Sequence, residues 1–225
     1  MSKSVVILLS GGLDSTTLLH YLRRLSPGLV LHALTMHYGQ KHARETVCAA
    51  WQAAAAQVRA HHLVDLACLG QITAHGSTLT GRRPVPAMSE IREDQLDQPP
   101  TYVPNRNLVF LSLAAAYAEA HGIDEVFYAA QQQDFYGYWD CTKAFQEKLN
   151  SLLGLNRRAP VTVRAPFADL DKAAVLKIGV AAEVDYAHTW TCYRGGELAC
   201  GVCPACVERL AAFQRVGLPD PLAYE

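Results

Sequence analysis

The sequence predicts an α/β protein: a parallel five-stranded sheet with helices on both faces, followed by a small C-terminal zinc-binding segment. Three observations predict it. An apolar run at residues 5–9 turns at once through Ser10-Gly11-Gly12-Leu13-Asp14-Ser15 into an apolar helical stretch. Strand-length apolar runs then alternate with helical segments, the pattern of a parallel sheet covered on both faces. Four cysteines, Cys192, Cys200, Cys203 and Cys206, crowd together near the end.

The elements follow in order. Residues 5–9 read as a buried parallel strand and 14–25 as its helix, with Ser15 as N-cap. A strand is expected at 30–36, an alanine-rich helix at 42–56 and a strand at 62–65. Residues 76–100 are polar, rich in Pro, Ser and Asp, and have no period; such a long irregular stretch inside a domain is usually functional or mobile. A long alanine-rich helix is expected at 107–120, a strand at 125–130, a helix at 142–153, a strand at 161–165 and a helix at 172–180. The division is a nucleotide-binding domain over 1–186 with a zinc-binding segment, 187–225, packed on it. Ligands of such sheets bind at the carboxyl ends of the strands, and the opening loop sits at such an end.

The chain has 225 residues, 50% hydrophobic and 18% charged, enough for one substantial core. Its formal net charge of -1 gives no basic surface for nucleic acid. No apolar stretch approaches the roughly 20 residues that span a bilayer. The N-terminus carries no signal-peptide pattern, so a cytoplasmic location is expected.

The Ser-Gly-Gly loop has the chemistry of a phosphate cradle. Its glycines permit close backbone approach, and the N–H groups and dipole of the following helix favour an anion. It lacks the Gly-Lys-Ser/Thr of a Walker loop and the G-x-G-x-x-G of a dinucleotide fingerprint. Seven cysteines are present. Cys48, Cys68 and Cys141 are scattered, while Cys192-x7-Cys200-x2-Cys203-x2-Cys206 has the spacing of a tetrahedral zinc site. An iron–sulfur cluster is the main metal rival. Four thiolates leave no open coordination position, so the ion is expected to staple the segment rather than do chemistry. Arg209 and a helix after it would pack on the main domain.

The loop resembles that of the N-type ATP pyrophosphatases, and implies a Rossmann-like fold of the PP-loop type. A wider ordered set narrows the resemblance. It comprises the loop, His37-Tyr38-Gly39-Gln40-Lys41-His42, Val103-Pro104-Asn105-Arg106-Asn107, Asp134 to Cys141, Leu170-Asp171-Lys172-Ala173 and the cysteines. Together they resemble the 7-cyano-7-deazaguanine synthase family over residues 5–209. The resemblance implies a zinc-containing homodimer that uses ATP and ammonia to convert a carboxydeazaguanine to a nitrile. It implies an ATP site at Leu9, Ser10, Gly11, Gly12, Leu13, Asp14, Ser15, Thr16, Tyr38 and Gln40. Asp14 is expected to hold Mg²⁺, with Arg106 and Lys172 neutralising the reacting phosphate. Asp134 or Asp140 would read the donor edge of the deazaguanine, and Phe135 and Tyr138 would stack on its ring. His37 and His42 are acid/base or phosphate candidates.

The chain departs from the family pattern at Gln132 (a carboxylate there), Tyr136, Trp139, Thr142 (a guanidinium there) and Asn105 (a glycine there). These departures keep open a relative that passes the activated acyl group to a protein amine. A nucleotide-binding module without catalysis and a tRNA-modifying pyrophosphatase are further alternatives. The retained Asp14, Ser15, Arg106 and Lys172 count against the former. The neutral charge and the absence of an appended RNA-binding domain count against the latter.

Overall fold

A computed structural model describes residues 3–132 and 137–225. Five strands form one sheet: β1 (Ser4–Leu8), β2 (Val30–His37), β3 (Ala60–Asp65), β4 (Glu125–Phe127) and β5 (Thr162–Arg164). Their order is β3-β2-β1-β4-β5 and every pairing is parallel. The first strand is therefore central. The chain builds outward on one side, then crosses to pair β4 with β1. The switch point lies between β1 and β4, where such sheets hold their ligands.

Side chains of β1 alternate between two cores, as strand geometry requires. Val5, Ile7 and Leu9 meet α1 (Leu13–Leu25), α2 (Arg44–Ala55), α6 (Lys172–Ala181) and α7 (Pro204–Val216). Val6 meets α4 (Arg106–Ala120) and α5 (Lys143–Leu153) on the other face. Val5, Val6 and Ile7 are at most 1% exposed, which accounts for the unbroken apolar run. Ala212 and Phe213 of α7 join the first core, so the C-terminal segment packs directly on the domain.

Three expectations need correction. Ser15 is not the N-cap of α1: Gly12 is, and Ser15 is the third helical residue. Its Oγ instead accepts the Ser10 N–H at 3.1 Å and bonds Ser10 Oγ at 2.9 Å, closing the loop on itself. The strand expected at 125–130 ends at Phe127; Tyr128 N–H still donates to Arg164 C=O at 3.0 Å, and residues 128–130 line the cavity described below. Arg209 lies inside α7 rather than ahead of it. A short helix the sequence did not announce, α3 (Ala67–Thr73), follows β3.

Two departures from the family pattern gain a local reason. Asn105 has φ 56, the left-handed region, where glycine is preferred and Asn is among the best substitutes. Thr142 is the N-cap of α5, its Oγ1 accepting the Phe145 N–H at 3.1 Å.

Candidate active site and metal centre

One cavity of ≈ 250 Å³ opens at the carboxyl ends of β1, β2 and β4. Leu9, Ser10, Gly12, Leu13, Asp14 and Ser15 form one wall, and Tyr38 another. Arg106, Asn107 and Phe110 of α4, residues 128–130, Tyr138 and Cys141, Lys172, and Trp190, Thr191, Tyr193, Pro204, Ala205, Glu208 and Arg209 of the C-terminal segment complete it. The sequence-predicted Asp14, Arg106 and Lys172 are thus brought to one place.

The loop is held in shape by Gly11. Its φ of +85 is the left-handed region, and a Cβ there would lie 2.1 Å from the Glu45 carbonyl oxygen. No other residue fits both constraints. Thr16 N–H closes the first helical bond to Gly12 C=O at 3.1 Å. The preceding N–H groups, at the helix start, have no intrahelical acceptor and point their partial charge at the cavity mouth.

Asp171 caps α6 by accepting the Ala174 N–H at 2.8 Å, placing Lys172 at the first helical position. Lys172 Nζ sits 3.1 Å from Asp14 Oδ2 and 3.3 Å from Glu208 Oε2. Asp14 Oδ1, by contrast, is buried with no hydrogen-bond partner among the described residues. An orphaned carboxylate oxygen beside a phosphate cradle suits a hard divalent cation, so this site fits Mg²⁺. Arg106 Nη1 donates to Tyr38 Oη at 3.4 Å. Burial pushes the Tyr38 phenol up to about 12, against the pull of Arg106, so it stays a neutral hydroxyl at physiological pH.

Other predicted residues serve the walls rather than the cavity. Gly11 and Thr16 lie behind the loop, and Thr16 is fully buried. Gln40 braces its own turn: Oε1 accepts the Tyr38 N–H at 2.8 Å and Nε2 donates to Glu45 Oε1 at 3.0 Å. Asp140 is buried beneath the wall, with Oδ2 accepting the Asn107 N–H at 2.9 Å. Its carboxyl is pushed up by burial, against the Asn107 N–H and the Arg106 charge. Tyr138 lines the cavity, its Oη 2.7 Å from Thr101 Oγ1. Asp134, Phe135 and Tyr136 lie outside the described residues. His37 faces Asp65 at 3.7 Å and does not line the cavity, whereas His42 does. Sequence reasoning missed Glu45, Trp190, Tyr193 and Glu208 as lining groups. The signal available was the Thr191-Cys192-Tyr193 stretch; nothing local marks Glu208.

The sulfur atoms of Cys192, Cys200, Cys203 and Cys206 all lie within 4.8 Å of one another, and all four residues are buried. A tetrahedron with Zn–S bonds of about 2.3 Å has edges of about 3.8 Å, so the set fits one zinc ion. Gly201, at φ 67, turns the chain between two of them, and Pro204 starts α7 directly after Cys203.

The segment is tied to the loop and the core. Trp190 N–H donates to Gly11 C=O at 3.0 Å, and the Arg44 guanidinium lies 4.4 Å from the Trp190 ring centroid. Arg209, fully buried, makes a forked pair with Asp220 (2.8 and 3.0 Å) and donates to Thr189 Oγ1 at 2.8 Å. Removing one partner of a buried pair leaves an uncompensated charge. Asp220→Asn is therefore expected to cost about 3 kcal/mol in denaturant unfolding. A loss under about 1 kcal/mol, the range of exposed pairs, would show that this pair does little for the fold.

The sheet order, the Ser-Gly-Gly loop at the switch point and the four clustered cysteines define a PP-loop-type α/β protein with a cysteine cluster able to hold zinc. Among solved structures, an NMN synthetase from Francisella tularensis shares this fold, with a TM-score of 0.54 at 14% identity, covering 97% of this chain and 79% of that one. The family model of the queuosine biosynthesis protein QueC matches residues 4–217. Relatives named 7-cyano-7-deazaguanine synthase include one from Marinobacter nauticus, 43% identical over 100% of this chain and 99% of that protein. Another, from Archaeoglobus fulgidus, is 45% identical over 96% of this chain and 88% of that protein. The chain belongs to the QueC family. Among the described residues, no helix is long and apolar enough to cross a membrane.

Proposed function

We propose that this chain uses ATP to adenylate the carboxylate of 7-carboxy-7-deazaguanine and couples it to ammonia, giving 7-cyano-7-deazaguanine through the amide. One observation carries the reading. A chain this similar over its full length to proteins named for that synthesis keeps Ser10, Asp14, Arg106 and Lys172 around one cavity.

A carboxylate is a poor electrophile. Its oxygen attacks the α-phosphorus of ATP, and the bond to pyrophosphate breaks with its electron pair. Ammonia adds to the acyl carbon and AMP leaves, giving the amide. The amide oxygen is adenylated in turn, and loss of AMP and protons leaves the nitrile. Positioning and charge neutralisation supply most of the catalysis. Ser10, Ser15 and the loop N–H groups hold the phosphates, while Arg106 and Lys172 balance charge on the reacting phosphate. Asp14 Oδ1 would hold Mg²⁺, which shields the triphosphate charge. Tyr138, on the cavity wall, would flank the deazaguanine ring; Asp134 and Phe135, the other residues expected to read and stack on it, lie outside the described residues.

Two of the departures, Trp139 and Thr142, fit this reading as tolerated variation. Thr142 caps a helix, and Trp139 Nε1–H donates to Tyr102 Oη at 2.6 Å while its ring packs edge-on to Phe145. Both have local structural work that needs no new acceptor. The test is incubation with Mg²⁺, ATP and the acid, with and without ammonium, read by mass spectrometry. AMP with a cyano product is expected. Adenylation that stops at the acid, whatever the ammonium, would move the assignment to a protein amine as acceptor.

A further inference from the structure

His42 lines the cavity yet is only 3% exposed. Its Nε2 faces Glu45 Oε2 at 3.4 Å. Glu45 is itself braced by Gln40 Nε2 at 3.0 Å, and Gln40 by the Tyr38 N–H. One edge of the imidazole thus faces a carboxylate whose own position is rooted in the backbone. The other nitrogen, Nδ1, is buried and has no hydrogen-bond partner among the described residues. A buried polar atom left unpaired is costly, and on the wall of a substrate cavity it marks the place of a ligand atom. The Tyr193 ring, with its centroid 5.3 Å from that of His42, closes the far side of this corner. An aromatic face beside a carboxylate-held imidazole suits a small cation that is about to lose a proton.

We propose that His42 Nδ1 is the base that takes a proton from ammonium, and that the corner formed by His42, Glu45 and Tyr193 is the nitrogen subsite. The inference rests on the function proposed above. Ammonium has no lone pair and cannot attack. One N–H proton passes to Nδ1, and the electron pair of that bond becomes the lone pair of ammonia. That pair forms the C–N bond at the acyl carbon, and the C–O bond to AMP breaks with its electrons. A second proton passes from the nitrogen to the departing AMP phosphate as the amide forms, and the imidazolium returns its proton to solvent before the next cycle. Glu45 is a positioning residue: it fixes the ring and stabilises the imidazolium, as carboxylates do behind catalytic histidines.

The test separates the two halves of the reaction. Acid-dependent exchange of pyrophosphate into ATP reports adenylation alone. Amide formation is then measured with ammonium and with hydroxylamine, a much weaker base that is mostly neutral near pH 7 and needs no prior deprotonation. His42→Gln is expected to keep exchange, to lose the ammonium reaction by about 10²–10⁴-fold, and to keep hydroxamate formation. Glu45→Gln should weaken the ammonium reaction in the same selective way, by about tenfold. Raising the pH, which supplies free ammonia, should rescue both variants. If exchange persists and ammonium is used as well as in the unaltered protein, or ammonium and hydroxylamine fail together, the inference is overturned. If His42→Gln loses exchange as well, Glu45→Gln decides: equal loss on both nucleophiles overturns it. No exchange in the unaltered protein would remove the function reading, and this inference with it.

Discussion

Replacing Cys203 with serine, or stripping metal with a strong chelator, is expected to loosen residues 187–225 and abolish adenylation together. Cys203 would supply a thiolate to the ion; it is also the N-cap of α7, but its side chain makes no capping bond there and serine is a favoured N-cap, so the replacement acts on the ion and spares the helix. Structural zinc sites contribute binding energy directly to folding, on the order of 10 kcal/mol in small zinc-binding peptides. Here the core contacts of Ala212 and Phe213 and the buried Arg209–Asp220 pair hold part of the segment independently. The expected result is therefore local release, not global unfolding. Metal analysis should show zinc lost, and hydrogen exchange should rise in residues 187–203 while β1 and β2 stay protected. Adenylation should fall by at least about 10²-fold, the effect of displacing one charge-stabilising group, because Trp190 and Glu208 both reach the site from this segment. A variant that keeps full activity without zinc would refute the staple.

The parts legible in the sequence were those where one physical demand dominates. Residues 5–9 had to be apolar on both faces to sit at the centre of the sheet. Gly11 had to be glycine because both its dihedral and the Glu45 carbonyl exclude a side chain. The cysteine spacing carried its own geometry. The illegible parts are those where a side chain's partner is set by the tertiary fold. Gln40 and Asp140 have the polarity and loop position of ligand contacts, yet both are spent on backbone groups. α3 has seven residues, a central glycine and no side-chain cap, so no local signal marks it; Gly70 is there because a Cβ would lie 2.3 Å from the Tyr38 carbonyl oxygen. Glu208 reaches Lys172 across two helices, a contact that no local pattern encodes. The residues at 128–130 read as strand because they are apolar, and Tyr128 still donates its N–H to the Arg164 carbonyl, but the strand ends at Phe127 and all three line the cavity.

Lys172→Met is expected to lower the rate of adenylation by about 10²–10³-fold while changing the KM for the acid little. The Lys172 ammonium lies between Asp14 Oδ2 and Glu208 Oε2, with its side chain only 10% exposed. In that position it is a preset charge: its Asp171-capped helix aims it and two carboxylates hold it, ready for the phosphate charge it is proposed to balance. A charge already in place costs no reorganisation when the pentavalent phosphorus forms, which is why its removal falls on kcat rather than on acid binding. Methionine keeps the length of the stem and its packing but leaves Asp14 and Glu208 without the cation between them. The two carboxylates then attract divalent cations more strongly, so the Mg²⁺ concentration giving half-maximal rate should fall even as kcat collapses. Asp14→Asn should do the opposite, raising the Mg²⁺ requirement, because the orphaned Oδ1 loses its charge. Steady-state kinetics across a Mg²⁺ titration separates the two. If both variants shift the Mg²⁺ dependence in the same direction, Lys172 and Asp14 act as a single ion pair and the division of labour proposed for them is wrong.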